Sequence, residues 1–307
     1  MNGVLIIDKP SGLTSHDVVN RVRRILRQKS VGHLGTLDPM ATGVLPLVTG
    51  NFTRLAQFYT RAEKTYEGVI RFGFSTDTYD AEGEPTSEPT PVSFGRDQME
   101  SLAGHFRGVI EQVPPPFSAK KIHGVPAYKL ARKHKDVNLA PVKVEIKEFM
   151  ILSCDADRAS FRACVASGTY LRSVAHDMGR LAGCGAHLEA LRRTTVAEFT
   201  LVDAHPLEEL ADAMSRTTAE ELDFFVHPRK LLPQLPSVTA DEANAARIRS
   251  GRTVNLPELS RARQVKVFQG QTNLIAIATR VAGTLFHPGI VFCGSPDPVA
   301  AVGGSRR

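Results

Sequence analysis

Short apolar segments of β type, each stopped by glycine or proline, recur along the chain, and helical spacing is confined to a few stretches between them. That pattern restricts the fold to mixed α+β structure, and no internal repeat is present. The apolar run from Gly3 to Ile7 predicts a buried strand, ended by Asp8-Lys9-Pro10. Val44 to Val48, Thr65 to Gly73, Gly108 to Gln112, Val142 to Leu152 and Ser160 to Ser167 follow as strands. Thr14-Ser15-His16-Asp17 has the spacing of a capping box, and Val18, Val22, Ile25 and Leu26 then share one helical face. Further helices are expected around Leu55 to Tyr59, over Gln98 to Phe106, and over Tyr170 to Ala182, the last with Val174, Met178 and Leu181 on one face.

Prolines between Pro228 and Pro236 break the chain. Beyond them, Thr239-Ala240-Asp241-Glu242 is another capping-box candidate, opening a short helix that ends at Gly251. Val265 to Phe268, Leu274 to Thr279 and Gly289 to Phe292 read as short strands of a small β-rich domain, and the tail Gly303 to Arg307 as frayed. A length of 307 residues favours about two domains. No apolar run approaches the roughly 18 residues of a membrane helix, and the N-terminal run is too short for a signal peptide. A cytoplasmic protein is expected. Cys154, Cys164, Cys184 and Cys293 form no Cys-x-x-Cys pair and read as buried thiols.

The formal charge of +6 is modest, but its distribution is uneven. Arg21, Arg23, Arg24, Arg27 and Lys29 decorate the first helix without an acid among them. Pro114-Pro115-Pro116-Phe117 introduces Lys120, Lys121, His123, Lys129, Arg132, Lys133, His134 and Lys135, which read as a mobile basic arm. Arg192-Arg193 adds a third basic spot, while acids collect between Asp77 and Glu88 and near Glu208 to Asp223. Such segregation points to an anionic partner.

Two places combine chemistry with unusual backbone. Val31 to Gly43 carries three glycines, a proline and Asp38, and reads as a loop. A carboxylate held there is either a turn-former or a cleft residue. Gly168-Thr169-Tyr170-Leu171-Arg172 joins a strand to a helix, and Arg172 can fork onto a carboxylate or a phosphate, or lie in a surface ion pair. Tyr66 is core or a stacking platform, His33 lies in the glycine loop, and His176 reads as structural. No phosphate-binding loop, nucleophile elbow, metal motif or dinucleotide fingerprint is present, so no cofactor is expected.

The residues from Gly3 to Gly12, the Gly-His-Leu-Gly-Thr-Leu-Asp-Pro core of the loop, Lys64-Thr65-Tyr66, Gly73 to Asp80, Pro115 to Lys121, Gly168 to Arg172, Asp177-Met178-Gly179, Gly185 to Leu188 and Leu191 to Thr194 together resemble the TruB family. These are the bacterial tRNA pseudouridine-55 synthases. The resemblance implies a mixed, largely antiparallel sheet flanked by helices, with the cleft across its middle. It implies a catalytic domain over 1–235 with an RNA-binding arm at about 114–140, and a PUA-like RNA-binding domain over 236–307. The implied reaction turns uridine into pseudouridine in the tRNA T loop without a cofactor. Asp38 is then the catalytic carboxylate, attacking C1′, adding to C6 or removing a proton from C2′. Arg172 is its partner and Tyr66 stacks on the target base. His33 fills the space that the base leaves. Lys9, Tyr170 and Leu191 line the pocket, and Asp80 positions Arg172 or the RNA. A monomer acting on the T stem-loop with no obligatory protein partner is expected. A non-catalytic RNA-binding protein or tRNA-folding chaperone, a guide-RNA-dependent relative and a metal-dependent hydrolase are the alternatives. Three departures stand out: His134 where the arm usually has Gly, Ala140-Pro141 where an arginine is frequent, and Asn51-Phe52 in place of Glu-Ala.

Overall fold

The computed structural model of the chain describes residues 1–118, 120–122, 124–131, 133, 139–216 and 223–292. Cys293, His123, Arg132, His134, Lys135, part of the 208–223 acid cluster and the tail expected to fray lie outside them.

The chain runs β1 (Gly3–Lys9), α1 (Ser15–Ile25), β2 (Val31–His33), β3 (Thr42–Thr49), α2 (Ala56–Tyr59), β4 (Lys64–Phe72), α3 (Arg96–Gly104) and β5 (Gly108–Gln112). The described part of the arm is a hairpin of β6 (Lys121–Ile122) and β7 (Val125–Pro126) followed by α4 (Ala127–Ala131), so it is more structured than its composition suggests. Then come β8 (Val142–Asp155), β9 (Arg158–Val165), α5 (Leu171–Leu181), β10 (Ala186–Val196), β11 (Phe199–Thr200), β12 (Ala204–Pro206) and α6 (Leu207–Arg216). The C-terminal region holds β13 (Ser237–Thr239), α7 (Glu242–Arg249), β14 (Val254–Asn255), β15 (Gln264–Gln269), β16 (Asn273–Ala282) and β17 (Leu285–Val291).

The large sheet has the order β12-β1-β3-β10-β4-β9-β8-β5, with β2 on β3 and β11 on β10. Only the β1–β12 and β3–β10 pairs are parallel. β1 is an unbroken apolar run because both its faces are covered. Leu5 and Ile7 join the core under α1 and α5, while Val4 and Ile6 join a second cluster on the opposite face. That second cluster also takes Phe268, Leu274, Ile277, Ile290 and Phe292 from the C-terminal β-rich domain, whose own five strands run β13-β15-β16-β17-β14. Asn51-Phe52 now has a role: Asn51 Nδ2 donates to the Phe292 carbonyl at 3.1 Å, and the Phe52 and Phe292 rings meet edge to face at 5.0 Å. The unusual pair docks the C-terminal domain.

Local signals hold where the interactions are local. Thr14 and Asp17 form the capping box, and Val18, Val19 and Val22 bury. Several expectations need correction. Val31–His33, the start of the predicted loop, pairs with β3 as a strand. Leu181, the last residue of α5, is exposed instead of sharing the buried face of Val174 and Met178. α7 is capped by Asp241, whose carboxylate accepts from Asn244 N, and not by Thr239, which pairs in β13. Cys154, Cys164 and Cys184 are half-buried free thiols, not fully buried ones. No described helix is long and apolar enough to cross a membrane.

Candidate active site

β3, β10 and β4 lie side by side at the centre of the large sheet, and a cavity of about 1060 Å³ opens over them. Close approach of β10 to β3 needs Gly43, at φ +99, because a Cβ there would sit 2.2 Å from the Arg193 carbonyl oxygen. The loop between β2 and β3 delivers Asp38 to the cavity wall. Reciprocal bonds fix its neighbour: Ser15 Oγ donates to the Leu37 carbonyl at 3.1 Å and accepts from Leu37 N at 2.8 Å. Lys9 is fully buried and does not line the cavity. Its Nζ donates to the carbonyls of Pro10, Leu13 and Pro39 at 2.9, 2.6 and 3.0 Å, tying the end of β1 to the loop beneath Asp38. Burial pulls its ammonium down to about 8, against the opposing pull of Asp38.

Arg172 enters from the first turn of α5 and is buried to 5% exposure. Its Nη2 donates to Asp38 Oδ1 at 3.1 Å and to the Phe117 carbonyl at 3.0 Å. Nε stands 2.9 Å from Asp38 Oδ2 as an ion-pair contact, off the direction of a hydrogen bond. Nη1 donates to the Thr78 carbonyl at 3.2 Å and lies 3.4 Å from Asp80 Oδ2. The guanidinium therefore joins the loop before β3, the turn after β4 and the start of the arm. Asp38, 34% exposed, keeps part of its carboxylate open to the cavity. Asp80 is buried and accepts from Thr78 Oγ1 at 2.6 Å and from Glu82 N at 3.1 Å.

Tyr66, Tyr170, Leu191 and His33 all line the same cavity. Tyr66 and Leu191 face it from adjacent strands, the register setting Leu191 opposite Gly68 and Arg193 opposite Tyr66. Gln112 fixes Tyr170 from both sides, accepting from its N at 2.8 Å and donating to its carbonyl at 3.0 Å. Burial raises the Tyr170 phenol above its usual range. Gly35 N donates to His33 Nδ1 at 3.3 Å, which makes that nitrogen an acceptor, and burial lowers the ring's basicity. His33 is thus a neutral imidazole facing the cavity. Of the expected site residues, only Lys9 stands behind the cavity instead of in it.

Several groups escaped sequence reasoning. Arg193, grouped with a basic surface, is fully buried in β10 and donates to the carbonyls of Val44, Thr36 and Gly35 at 2.8, 3.1 and 3.0 Å. Its period-two spacing from Leu191 was the available signal. Arg192, its neighbour, faces the other way and pairs with Asp8 at 2.7 Å. Glu82 lines the rim, its carboxyl raised first by burial and then by Asp80 and Asp38. Ser15 and Gln112 read only as a helix start and a strand end. Among the described residues, no three His, Cys, Asp or Glu side chains gather as a metal site requires.

Comparison with known proteins places the chain in a family. The model of the TruB family pseudouridylate synthase N-terminal domain matches residues 23–171, and that of the tRNA pseudouridylate synthase B C-terminal domain matches residues 172–232. A tRNA pseudouridine synthase B of Solibacter usitatus is 50% identical over 294 residues, spanning 95% of this chain and 100% of the relative. That of Aquifex aeolicus is 38% identical over 287 residues, spanning 93% and 98%. The fold also matches a solved H/ACA RNP bound to a substrate RNA containing 2′-deoxyuridine, with a TM-score of 0.69 at 23% identity, over 95% of this chain and 85% of that one. A Cbf5-Nop10-Gar1 complex gives 0.68 at 24%, over 95% and 85%. At such identity these two speak for the fold alone. Half-identity along nearly the whole of both chains speaks for more: the chain belongs to the TruB family of pseudouridylate synthases.

Proposed function

We propose that this tRNA pseudouridine synthase isomerises the uridine at position 55 in the T loop of tRNA, on a base turned out of its stack and without a cofactor. The observation that carries the reading is the Asp38–Arg172 ion pair on the wall of a cavity that Tyr66 also lines. In the reaction the N1–C1′ bond breaks, the uracil turns, and C5 bonds to C1′. C5 gives up a proton and N1 gains one, so no group is taken up or released.

Each residue has a part in that sequence. Asp38 supplies the charged carboxylate at the sugar–base junction, and Arg172, anchored on two backbone carbonyls, holds its orientation. Asp80 positions Arg172 from the other side. Tyr66 stacks on the uracil, a contact worth about 1–3 kcal/mol, and its hydroxyl takes part in moving the C5 proton. Extruding the base costs a few kcal/mol, and neutral His33 fills the gap without burying a charge. Tyr170 and Leu191 flank the base. Lys9 is a positioning residue beneath the Asp38 loop.

The basic helix α1, the arm at about 114–140 and the C-terminal domain contact backbone phosphates, which position RNA without reading sequence. We assign 1–235 to the catalytic domain and 236–307 to a PUA-like RNA-binding domain. Support comes from the family match ending at residue 232 and from the separate hydrophobic cluster around Val265, Ile275 and Phe286. The protein works as a cytoplasmic monomer, with tRNA as its sole required partner.

Mapping pseudouridine in an unmodified tRNA transcript incubated with the purified chain tests the proposal. Conversion at position 55 is expected, and none in a transcript carrying cytidine there. No product on bare tRNA, or product only at other positions, overturns the assignment.

A further inference from the structure

Lys64, the first residue of β4, is a buried cation that the reaction does not use. It is 9% exposed and lines the cavity two residues before Tyr66, so the strand's alternation puts both on one face. Its Nζ donates to the Ala62 carbonyl at 2.7 Å. Among the described residues no carboxylate forms an ion pair with it, and the charge acting on it is Arg193, another cation. Arg193 in turn donates to three carbonyls, and among the described residues no carboxylate forms an ion pair with it. Gly35 makes room for the two: a Cβ there would stand 3.1 Å from Lys64 Cε and 3.7 Å from Arg193 Nη1. Burial and Arg193 together pull the Lys64 ammonium down to about 8.

An unpaired buried ammonium is costly, and a methionine or leucine would fill the space at lower cost. Here it opens on a cavity. Of the acids that line the cavity, Asp38 and Asp80 pair with Arg172, and neither they nor Glu82 forms an ion pair with Lys64. An anion entering from solvent would therefore complete a charge balance that the chain leaves open. Two residues of extended strand span roughly 7 Å. A base lying on Tyr66 thus brings its own backbone within reach of the Lys64 ammonium.

We propose that Lys64, backed by Arg193, forms a phosphate subsite that binds a phosphodiester flanking the extruded uridine. This rests on the reading of Tyr66 as the stacking platform for the target base. Lys64 donates charge-assisted hydrogen bonds to the non-bridging oxygens, and Arg193 adds field without contact. The subsite differs from the surface basic groups in being shielded from salt by its burial.

A double-mutant cycle tests it. T-arm RNAs are made with a neutral methylphosphonate at the linkage on either side of the target uridine, and affinity is measured for the wild type, Lys64→Met and Lys64→Arg. Lys64→Met should weaken binding of the unmodified RNA about 10- to 100-fold. One of the two methylphosphonates should weaken wild-type binding by a similar factor and cost Lys64→Met almost nothing more. Lys64→Arg should restore the sensitivity, which separates lost charge from a disturbed fold. Independent, multiplicative losses at both linkages, or unchanged affinity in a folded Lys64→Met, overturn the subsite. Binding is read apart from turnover: a wild type that binds with this coupling but forms no pseudouridine refutes the proposed reaction and leaves the subsite standing.

Discussion

On one wall of the cavity Arg172 meets Asp38 and Asp80, so each of these three charges has a partner of opposite sign. On the other wall stands Lys64, with Arg193 buried behind it, and among the described residues the hydrogen bonds of both go to carbonyl oxygens. The first is assembled from a loop, a turn and the start of α5, the second from the neighbouring strands β4 and β10, and the two differ most in how their charges are balanced. The paired wall is complete before anything binds. It fixes a carboxylate in one orientation, which is what a reacting group needs. The unpaired wall is incomplete and gains most when an anion arrives, which is what an RNA-binding surface needs. Breaking each wall should therefore have a different signature: lost rate with retained affinity on the first, lost affinity with gained stability on the second.

The largest effect belongs to Asp38. Asp38→Asn keeps the size of the side chain and removes its charge. Pseudouridine formation should fall by at least about 10⁴-fold, with tRNA affinity within about threefold of wild type. A gel-shift titration beside a single-turnover assay checks both, and retained turnover would sink the role of Asp38. Next comes Arg172→Lys, which keeps one positive charge but loses the planar fork that spans Asp38, Asp80 and two carbonyls. A fall in turnover of about 10²-fold is expected at unchanged affinity. If affinity fell and turnover did not, Arg172 would belong to the binding wall and the contrast would fail.

The two walls were not equally legible in the sequence. The paired wall was reached through a family resemblance, because Asp38 and Arg172 lie 134 positions apart and no local pattern joins them. Asp80 comes from the same resemblance, with its role open between Arg172 and the RNA, and the structure sets it beside the arginine. The unpaired wall stayed hidden. β10 carries His187, Arg192 and Arg193, which break the apolar alternation that marks a strand, so the central strand was missed. Arg193 reads as a surface charge unless its partners are known, and these are main-chain oxygens about 150 residues away. Carbonyl groups have no signature in a sequence. No pattern shows that Lys9 lies behind the cavity, for the same reason: its three partners are all carbonyls. Thr14 and Asp17 were read correctly because both halves of a capping box lie within four residues.

The next effect concerns stability. Lys64 and Lys9 both have folded-state ammonium groups near 8, against 10.5 when free. Below pH 8 both the folded and the unfolded chains hold these protons, and the cost of burial is fully present. Between pH 8 and about 10.5 the folded chain has lost protons that the unfolded chain keeps, so stability rises with pH across that window. Lys64→Met should stabilise the protein at pH 7, on the order of 1–3 kcal/mol, and flatten part of the rise, Lys9 supplying the remainder. Urea unfolding at pH 7 and pH 9.5 measures both. A destabilised Lys64→Met would mean that the ammonium is satisfied inside the fold, and the two walls would no longer differ in kind.

The smallest effect tests how the paired wall is held to its helix. Tyr79 adopts φ +65, a left-handed conformation that costs a bulky residue roughly 1–2 kcal/mol. Its ring stacks on His176 at 3.8 Å and 14°, one helical turn beyond Arg172 on α5. Tyr79 lies between Thr78, whose carbonyl accepts from Arg172, and Asp80, which pairs with it. The strain of the one residue is thus offset by a stack that presses the turn against the helix carrying the arginine. Tyr79→Gly removes strain and stack together, so the two nearly cancel and the melting temperature should move by only about 2 °C. Turnover should fall roughly threefold, because Asp80 still accepts from Thr78 Oγ1 and Glu82 N and so is loosened but not freed. Tyr79→Phe keeps the ring and should recover the rate. Turnover unchanged in Tyr79→Gly would show that Arg172 holds the paired wall together by its own hydrogen bonds, with the stack contributing to the fold alone.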